Sequence, residues 1–538
     1  MKEGSSYVGI QAMPALGMAM MKQNGICDLI DSQTNPDPQR IISEGNGVML
    51  MVGAMFKGMG RRPLYKLDMD FATAPLELMI GPGVEAKNLN ARTFSRTLDN
   101  LFELDLPDLT FTIHETLCEK YEIKAYIYNM DSTNFSVSAI NVERDRPGAA
   151  IPERNGHAKD GDNTRRVYNL QSVTTQKGIL CYERPYDGST TDAEMDRDTI
   201  EYLATKVDPL RSTIVADSKI VNTELIDSME EKGFGFVSKC PESFGEKVKE
   251  KIVYTVLNSQ MDPSTVRNGW EIYDCDATVG NRQLRFIAFR TAEGKERSVE
   301  YYREQGLRDV ERIMEPLLRR TFRSSEDAVS TYGIALSKVK GSAYVVSMDV
   351  VEKRVMDPYG KRGRPPKEWV PTYHSEYILD ITWEFSERLA EEMADARLVR
   401  VLITNLKRGT EDSVNPRDGV TGDGVLMLYL GQYRIEHCFR TSKSRYEVNK
   451  VYFHNPSRAN AFMFVVSLAT MIGEFITAVL QDGGVMRTAE GLIDDMSTLL
   501  LKRDPSDNQD YLEGPPEMRD CYMRLLEVLE LDPDKIFG

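Results

Sequence analysis

The chain has 538 residues, which at about 150 residues per domain leaves room for three or four units and excludes a miniprotein. It carries 67 Lys and Arg against 83 Asp and Glu, a net charge of −16 with a pI near 5.1, so no overall field draws it to nucleic acid or to an anionic membrane. A hydrophobic content of 41% with 28% charged residues excludes disorder along the whole chain.

The seven cysteines (Cys27, Cys118, Cys181, Cys240, Cys275, Cys438, Cys521) are odd in number and form no Cys-x-x-Cys pair. They read as reduced thiols in a cytosol, with neither a disulfide framework nor a zinc site. Met1 to Ile10 has Lys2 but no apolar run behind it, so no secretory signal is expected. From Met13 to about Glu122 the pattern is helical and rich in methionine, as in Met18, Met20, Met21, Met49, Met51, Met55 and Met59, which points to a Met-packed helical core. Within it, Lys87, Arg92 and Arg96 recur at helical spacing and form either a phosphate-facing or an ordinary solvated surface.

At Ile123 the texture turns to β: a run to Met130, then Asp131-Ser132-Thr133, then a second run from Phe135 to Ile140. After a polar excursion from Asn141 to Arg166, strand-like runs cover Val167–Thr174 and Gly178–Glu183. A helix is expected over Asp192–Lys206, a strand over Ser212–Ala216 that ends on Asp217, a helix over Asn222–Lys232 and a strand over Phe234–Ser238. That alternation predicts an α/β layer with a mixed sheet. Residues 241–393 interrupt it with largely β-type runs, one helix near 297–322 and all three tryptophans, Trp270, Trp369 and Trp383, and read as an insertion. The strand pattern resumes at Leu398–Thr404, a helix follows over Val425–Ser444, and a polar helical tail runs from Thr488 to Ile536. Ala459–Leu480 is long enough to span a bilayer, but Asn460 and Glu474 inside it favour a buried core helix.

Asp131 and Asp217 stand at the ends of strand-like runs, where a rigid sheet aims a side chain into a cleft, although a lone aspartate there is more often a turn or helix cap. Glu436 lies in the helical stretch. At 3.6 residues per turn, Tyr429, Gln432, Tyr433, Arg440 and Lys443 share its face. A carboxylate flanked by phenols and cations suits a phosphodiester. Three carboxylates can hold two Mg²⁺ about 3.5–4 Å apart, one activating the attacking water or 3′-hydroxyl and the other stabilising the leaving oxygen.

The two strand-borne aspartates and the spacing Tyr429, Gln432, Glu436, Lys443 together resemble the insertion-sequence DDE transposases with the Tyr-Arg-Glu-Lys signature. The resemblance implies a ribonuclease-H-like mixed sheet with flanking helices, a largely β insertion before the last catalytic helix and a helical N-terminal domain that binds DNA ends. It also implies that Asp131, Asp217 and Glu436 are the metal-binding acids, and that Tyr429 and Lys443 contact phosphate. The domains expected on this basis are 1–122, 123–240, 241–393, 394–482 and 483–538. Gly156-His157-Ala158-Lys159-Asp160 looks like a Gly-x-Ser-Lys-Asp stretch of one branch, with Ala158 for serine. Gln432 replaces the signature arginine, a neutral amide for a bidentate cation, and Ser218-Lys219-Ile220 after Asp217 lacks the glycine and aromatic often found there.

Gly360-Lys361-Arg362-Gly363-Arg364-Pro365-Pro366-Lys367 looks like an AT-hook, whose Arg362 and Arg364 enter a narrow minor groove; a flexible basic linker is the alternative. His157, His374, His437 and His454 read as structural. The function expected is Mg²⁺-dependent cleavage at the element's terminal inverted repeats and strand transfer into target DNA, with Mn²⁺ able to substitute. A homodimer on DNA, a cytoplasmic or nucleoid location and no membrane go with it. A catalytically inactive DNA-binding relic is the alternative. An aspartyl-phosphate phosphatase loop is disfavoured because Thr133 stands where its second aspartate belongs.

Overall fold

The computed structural model describes residues 8–35, 37, 39–57, 66–137, 166–245, 247–267, 269–291, 295–339, 341–360, 365–446, 450–451, 453, 455–484, 487–504 and 509–537. The chain divides into two units, Met1–Lys239 with Thr404–Gly538, and Cys240–Ile403.

The first unit begins with a short strand, β1 (Val8–Gln11), and builds its main sheet from β2 (Ile127–Val137), β3 (Arg166–Thr175), β4 (Leu180–Asp187), β5 (Thr213–Ala216) and β6 (Gly235–Lys239). Their order is β4-β3-β2-β5-β6, antiparallel from β4 to β2 and parallel from β2 to β6. An antiparallel meander whose first strand continues into a parallel half is the ribonuclease-H-like arrangement. β5 is buried along its whole length, as its β-branched run Thr213-Ile214-Val215 requires of a parallel strand covered on both faces. The two runs expected on either side of Asp131 are one strand. Asp131, Ser132 and Thr133 pair in unbroken register with Ser172, Gln171 and Leu170, so the polar residues do not end the strand. The helix Asp192–Lys206 has the bounds expected, capped by Thr191, whose hydroxyl accepts from the Glu194 amide.

The N-terminal helices Ala12–Gln23, Ile26–Gln33, Glu44–Met55, Ala91–Leu101 and Leu106–Lys120 bury Met18, Met20, Met21, Met49, Met51 and Met55. They share one apolar core with the long helix Pro456–Asp482 and with the tail. The approach of the first and third of these helices is close enough to need glycine: a Cβ on Gly17 would lie 2.2 Å from Phe56 Cδ2. Among the described residues Pro456–Asp482 is the one helix long and apolar enough to cross a membrane, and 94% of its most apolar stretch is buried inside the protein. It is the core helix the sequence favoured. Its Glu474 is taken up by His437, whose Nδ1 stands 3.1 Å from Oε1.

The tail is not purely helical. Besides Ala489–Asp495 and Pro516–Val528 it contains strands Leu500–Arg503 and Asp510–Glu513, which join β1 in a three-stranded antiparallel sheet. Four-residue strands are too short to show a period of two.

In the second unit a ribbon pairs Tyr344–Met356 with Tyr373–Phe385 over 13 consecutive positions, and Thr321–Phe322 adds at its edge. Four helices accompany its strands: Val248–Leu257, Lys295–Leu318, Ser325–Lys338 and Glu387–Leu398. Trp383 packs against this unit's core, Trp270 lies 5.4 Å from Phe289 and Trp369 is 5.6 Å from Tyr359, ring centre to ring centre.

Candidate active site

The parallel pairing of β2 with β5 is registered Ile127–Thr213 through Met130–Ala216. Asp131 and Asp217 are the next residue on each chain, and since neighbouring strands lie about 4.8 Å apart and in-register residues share a face, the two aspartates stand side by side. Each is oriented by a local backbone bond. The Ser132 amide donates to Asp131 Oδ1 at 2.8 Å, and Asp217 Oδ1 accepts the Lys219 amide at 2.8 Å as the cap of the short turn Ser218–Ile220. Asp217 is therefore both a cap and a member of the acidic pair, so the two readings of the sequence do not compete.

Around the pair lie groups that the sequence did not single out. Lys219 Nζ is 2.7 Å from Asp192 Oδ2, while Ser132 Oγ donates to Asp192 Oδ1 at 3.2 Å. Burial works against the charged form of Lys219, but the bond to Asp192 and the fields of Asp192, Asp217 and Asp131 hold its pKa above the ordinary lysine value. Asp196, one turn into the same helix, accepts from Gln171 Nε2 at 3.0 Å; burial, with Asp192 and Asp217 nearby, pushes its pKa up to about 7. In the other direction the register Asp131–Ser172–Glu183 puts three polar side chains in a row across β2, β3 and β4, and Ser172 Oγ donates to Glu183 Oε2 at 3.1 Å. Burial pushes Glu183 up to about 8. Asp192 heads a helix whose bounds were legible, but nothing in a linear pattern ties it to Ser132, 60 residues away.

Glu436 lies on the helix Tyr433–Arg440, which follows Gly422–Leu430 and runs into a π turn, Thr441–Arg445. The helix buries Ile435 and Cys438, and Cys438 Sγ bonds the Gly178 carbonyl in the β3–β4 turn at 3.4 Å. Lys443, in the π turn, donates from Nζ to Thr133 Oγ1 at 2.7 Å and stands 5.1 Å from the Phe135 ring centre. Thr133 and Phe135 share the sheet face of Asp131, so this helix covers the face that carries the acid pair. Glu436 itself is exposed. Tyr429 and Gln432 are half-buried, Tyr433 is exposed, and Arg440 is 3.6 Å from Glu490. His437 faces Glu474, as a structural histidine should, and that hydrogen bond raises its pKa against the opposing effect of burial. Arg362, Arg364, His157, His454 and the stretch 156–160 lie outside the described residues.

Residues 125–472, well over half of the chain, match the family model described as a transposase DDE domain. The chain belongs to the DDE transposases. Residues 10–114 match a second model, described as a domain of unknown function, DUF4277. No curated protein matches the chain.

Members of this family generally use divalent metal ions and act on DNA as nucleases and transesterases. In this transposase the hard oxygens of Asp131 and Asp217, side by side on one face, are of the kind such an ion takes. Among the described residues, however, no three His, Cys, Asp or Glu side chains stand together closely enough to hold a metal ion. Two of the three expected acids are thus brought together, and Glu436 does not close the group in this arrangement.

Proposed function

We propose that this transposase cleaves DNA at its element's terminal inverted repeats and transfers the exposed 3′-hydroxyl into target DNA, with Asp131, Asp217 and Glu436 as the acids that hold two Mg²⁺. The observation that carries the reading is the adjacent placement of Asp131 and Asp217 on a sheet face covered by the helix that bears Glu436 and Lys443. When bound, the metal pair supplies a lowered pKa to the attacking oxygen and charge neutralisation at the leaving one. The chain's own contribution is positioning. The ladder fixes Asp131, the backbone bond from Lys219 fixes Asp217, and Tyr429, Gln432, Arg440 and Lys443 orient the phosphate's non-bridging oxygens. Arg362 and Arg364 hold a minor groove. The nucleophile is water or DNA, so no covalent protein intermediate forms. The protein works as a homodimer on DNA, in the cytoplasm and on the nucleoid.

Incubating the protein with a duplex that carries the terminal repeat tests this. Mg²⁺-dependent nicking is expected, lost in Asp131→Asn, Asp217→Asn and Glu436→Gln while the ends remain bound. Gln432 in the signature arginine's place favours a second reading, an inactive DNA-binding relic, and wild-type protein that binds the repeat but never cuts under any divalent ion would establish it.

A further inference from the structure

The ribbon of the second unit leaves one long edge unpaired. Its strands lie in the order Thr321–Phe322, Tyr373–Phe385, Tyr344–Met356, so among the described residues Tyr344–Met356 has a neighbouring strand on one side alone. Which residues turn their backbone to the open side follows from the flanking bonds. The Ser386 amide donates to the Ala343 carbonyl and the Asp357 amide to the Thr372 carbonyl, both at 2.8 Å. The register between these two pairs is unbroken, so the odd-numbered residues of the strand bond Tyr373–Phe385 and the even-numbered ones direct their N–H and C=O away from it. Tyr332 takes up one of these groups, its hydroxyl donating to the Val346 carbonyl at 3.1 Å. From Met348 to Met356 no described residue bonds the outward amides and carbonyls, which leaves a template about 27 Å long at about 3.4 Å per residue.

Proteins blunt such edges with prolines, bulges or a covering element. This strand contains no proline, and its 13 paired positions include no bulge. Its even-numbered side chains Val346, Met348 and Val350 pack against the unit's core, while its odd-numbered ones face outward, with Val345 56% and Val351 40% exposed. On that outer face Asp349 stands directly opposite Asp380, a cross-strand pair of like charges, and neither has an ion-pair partner among the described residues. Lys353, exposed on the same face, stands opposite Glu376, which His374 Nε2 engages at 3.3 Å, and it too lacks an ion-pair partner among the described residues. The strand is thereby complementary to itself. Laid antiparallel against a second copy with the two-fold axis at Val351, Asp349 of each copy faces Lys353 of the other and Val351 meets Val351. The outward backbone groups then pair, Met348 with Arg354 and Val350 with Glu352. Moving the axis by one residue puts Asp349 opposite Val351 or Val355 and leaves both charges unmatched. Glu352, diagonal to its own copy, is already turned to the Ser375 hydroxyl.

We propose that the edge of Tyr344–Met356 pairs with the same edge of a second copy of this chain, joining two ribbons into one antiparallel sheet about a two-fold axis at Val351. This deepens the reading of the protein as a homodimer, on which it rests for the identity of the partner, and adds the surface and its register.

The test is sedimentation velocity of the full chain without DNA, at protein concentrations up to about 100 μM, where even a small interface is populated. Wild type should associate reversibly. Asp349→Lys and Lys353→Asp each set like charges against one another twice per interface, and each variant alone should associate at least roughly tenfold more weakly. An equimolar mixture of the two should recover the association, because every lysine then faces an aspartate across the mixed dimer; a loss of fold could not be repaired by mixing. Glu352→Pro attacks the backbone instead. The Glu352 N–H points outward, so proline there removes no bond of the ribbon but blocks the pairing, and the variant should stay monomeric. All three tryptophans lie in this unit, so an unchanged emission spectrum establishes that each variant is folded. Folded variants that associate as wild type does, or a mixture no stronger than either variant alone, overturn the edge as the interface. Wild type that stays monomeric overturns it as well, and Mg²⁺-dependent nicking by that monomer would leave the transposase reading standing. A protein that dimerises through this edge yet never nicks the terminal repeat would overturn the cleavage reading alone.

Discussion

Glu183 offers a measurement that depends on the polar row beside Asp131 and not on any reaction. Its carboxyl is raised from 4.5 to about 8 by burial, and Ser172 Oγ is its hydrogen-bond partner at 3.1 Å. The folded chain therefore keeps the proton on Glu183 up to about pH 8, whereas the unfolded chain releases it above about 4.5. Between those limits the folded state binds more protons, so stability declines as pH rises through the window and levels off above it. A shift of about 3.5 units at about 1.36 kcal/mol each gives an upper bound of about 5 kcal/mol, and the half-buried position of the side chain brings the expectation to about 2–3 kcal/mol. Glu183→Gln has no proton to lose and its amide still bonds Ser172. Relative to wild type it should gain stability steadily from pH 5 to pH 8. Urea unfolding followed by far-ultraviolet circular dichroism reads this, because the tryptophans report only on the other unit. A stability difference independent of pH would refute the assignment of a neutral, enclosed carboxyl.

Three further predictions concern the surroundings of the site. Gly17→Ala places a methyl 2.2 Å from Phe56 Cδ2 and should cost about 1–3 kcal/mol in thermal or urea unfolding, with Phe56→Leu recovering part of the loss. Glu474→Gln removes the carboxylate that holds His437 protonated, so the His437 pKa, followed by NMR, should fall below its wild-type value; an unchanged titration would mean that the pair does not persist in solution. Lys219→Met takes away a cation in the field of Asp131 and Asp217; since Lys219 and Asp192 are both partly exposed, the loss of their ion pair should cost less than about 1 kcal/mol, while the rise in melting temperature on adding divalent ion should exceed that of wild type.

Elements governed by local chemistry were legible. The helical run Asp192–Lys206 and the short β-branched run that ends on Asp217 were read from the sequence alone, and the structure has both elements. What lay beyond reach is set by register between distant segments. That Asp131 pairs with Ser172, and Ser172 with Glu183, follows from the alignment of three strands, and a one-residue slip would turn every one of these side chains to the other face. The helical stretch around Glu436 shows a second limit. The uniform helix expected over Val425–Ser444 tightens between Tyr429 and Ile435, where Gln432, Arg434 and Ile435 donate to residues three earlier, and widens into the π turn at Thr441–Arg445. A constant 3.6 residues per turn carries no information about either change, so face sharing computed from it is exact only within Tyr433–Arg440.

Those same irregularities bear on how Glu436 can meet the aspartates. Its helix is pinned on every inward side: Ile435 and Cys438 are buried, Cys438 bonds Gly178, His437 bonds Glu474, Ser442 bonds Thr470 at 3.0 Å and Lys443 bonds Thr133. Rotating the helix to swing Glu436 inward would break several of these bonds at once, two of them inside the protein where a lost partner costs about 1–3 kcal/mol. The Glu436 side chain, by contrast, is exposed, where a change of rotamer costs little. Under the proposed function, completion of the acid group therefore falls to the Glu436 side chain and to whatever cation and phosphate draw it in, against a backbone that already sets Asp131 and Asp217 on adjacent strands.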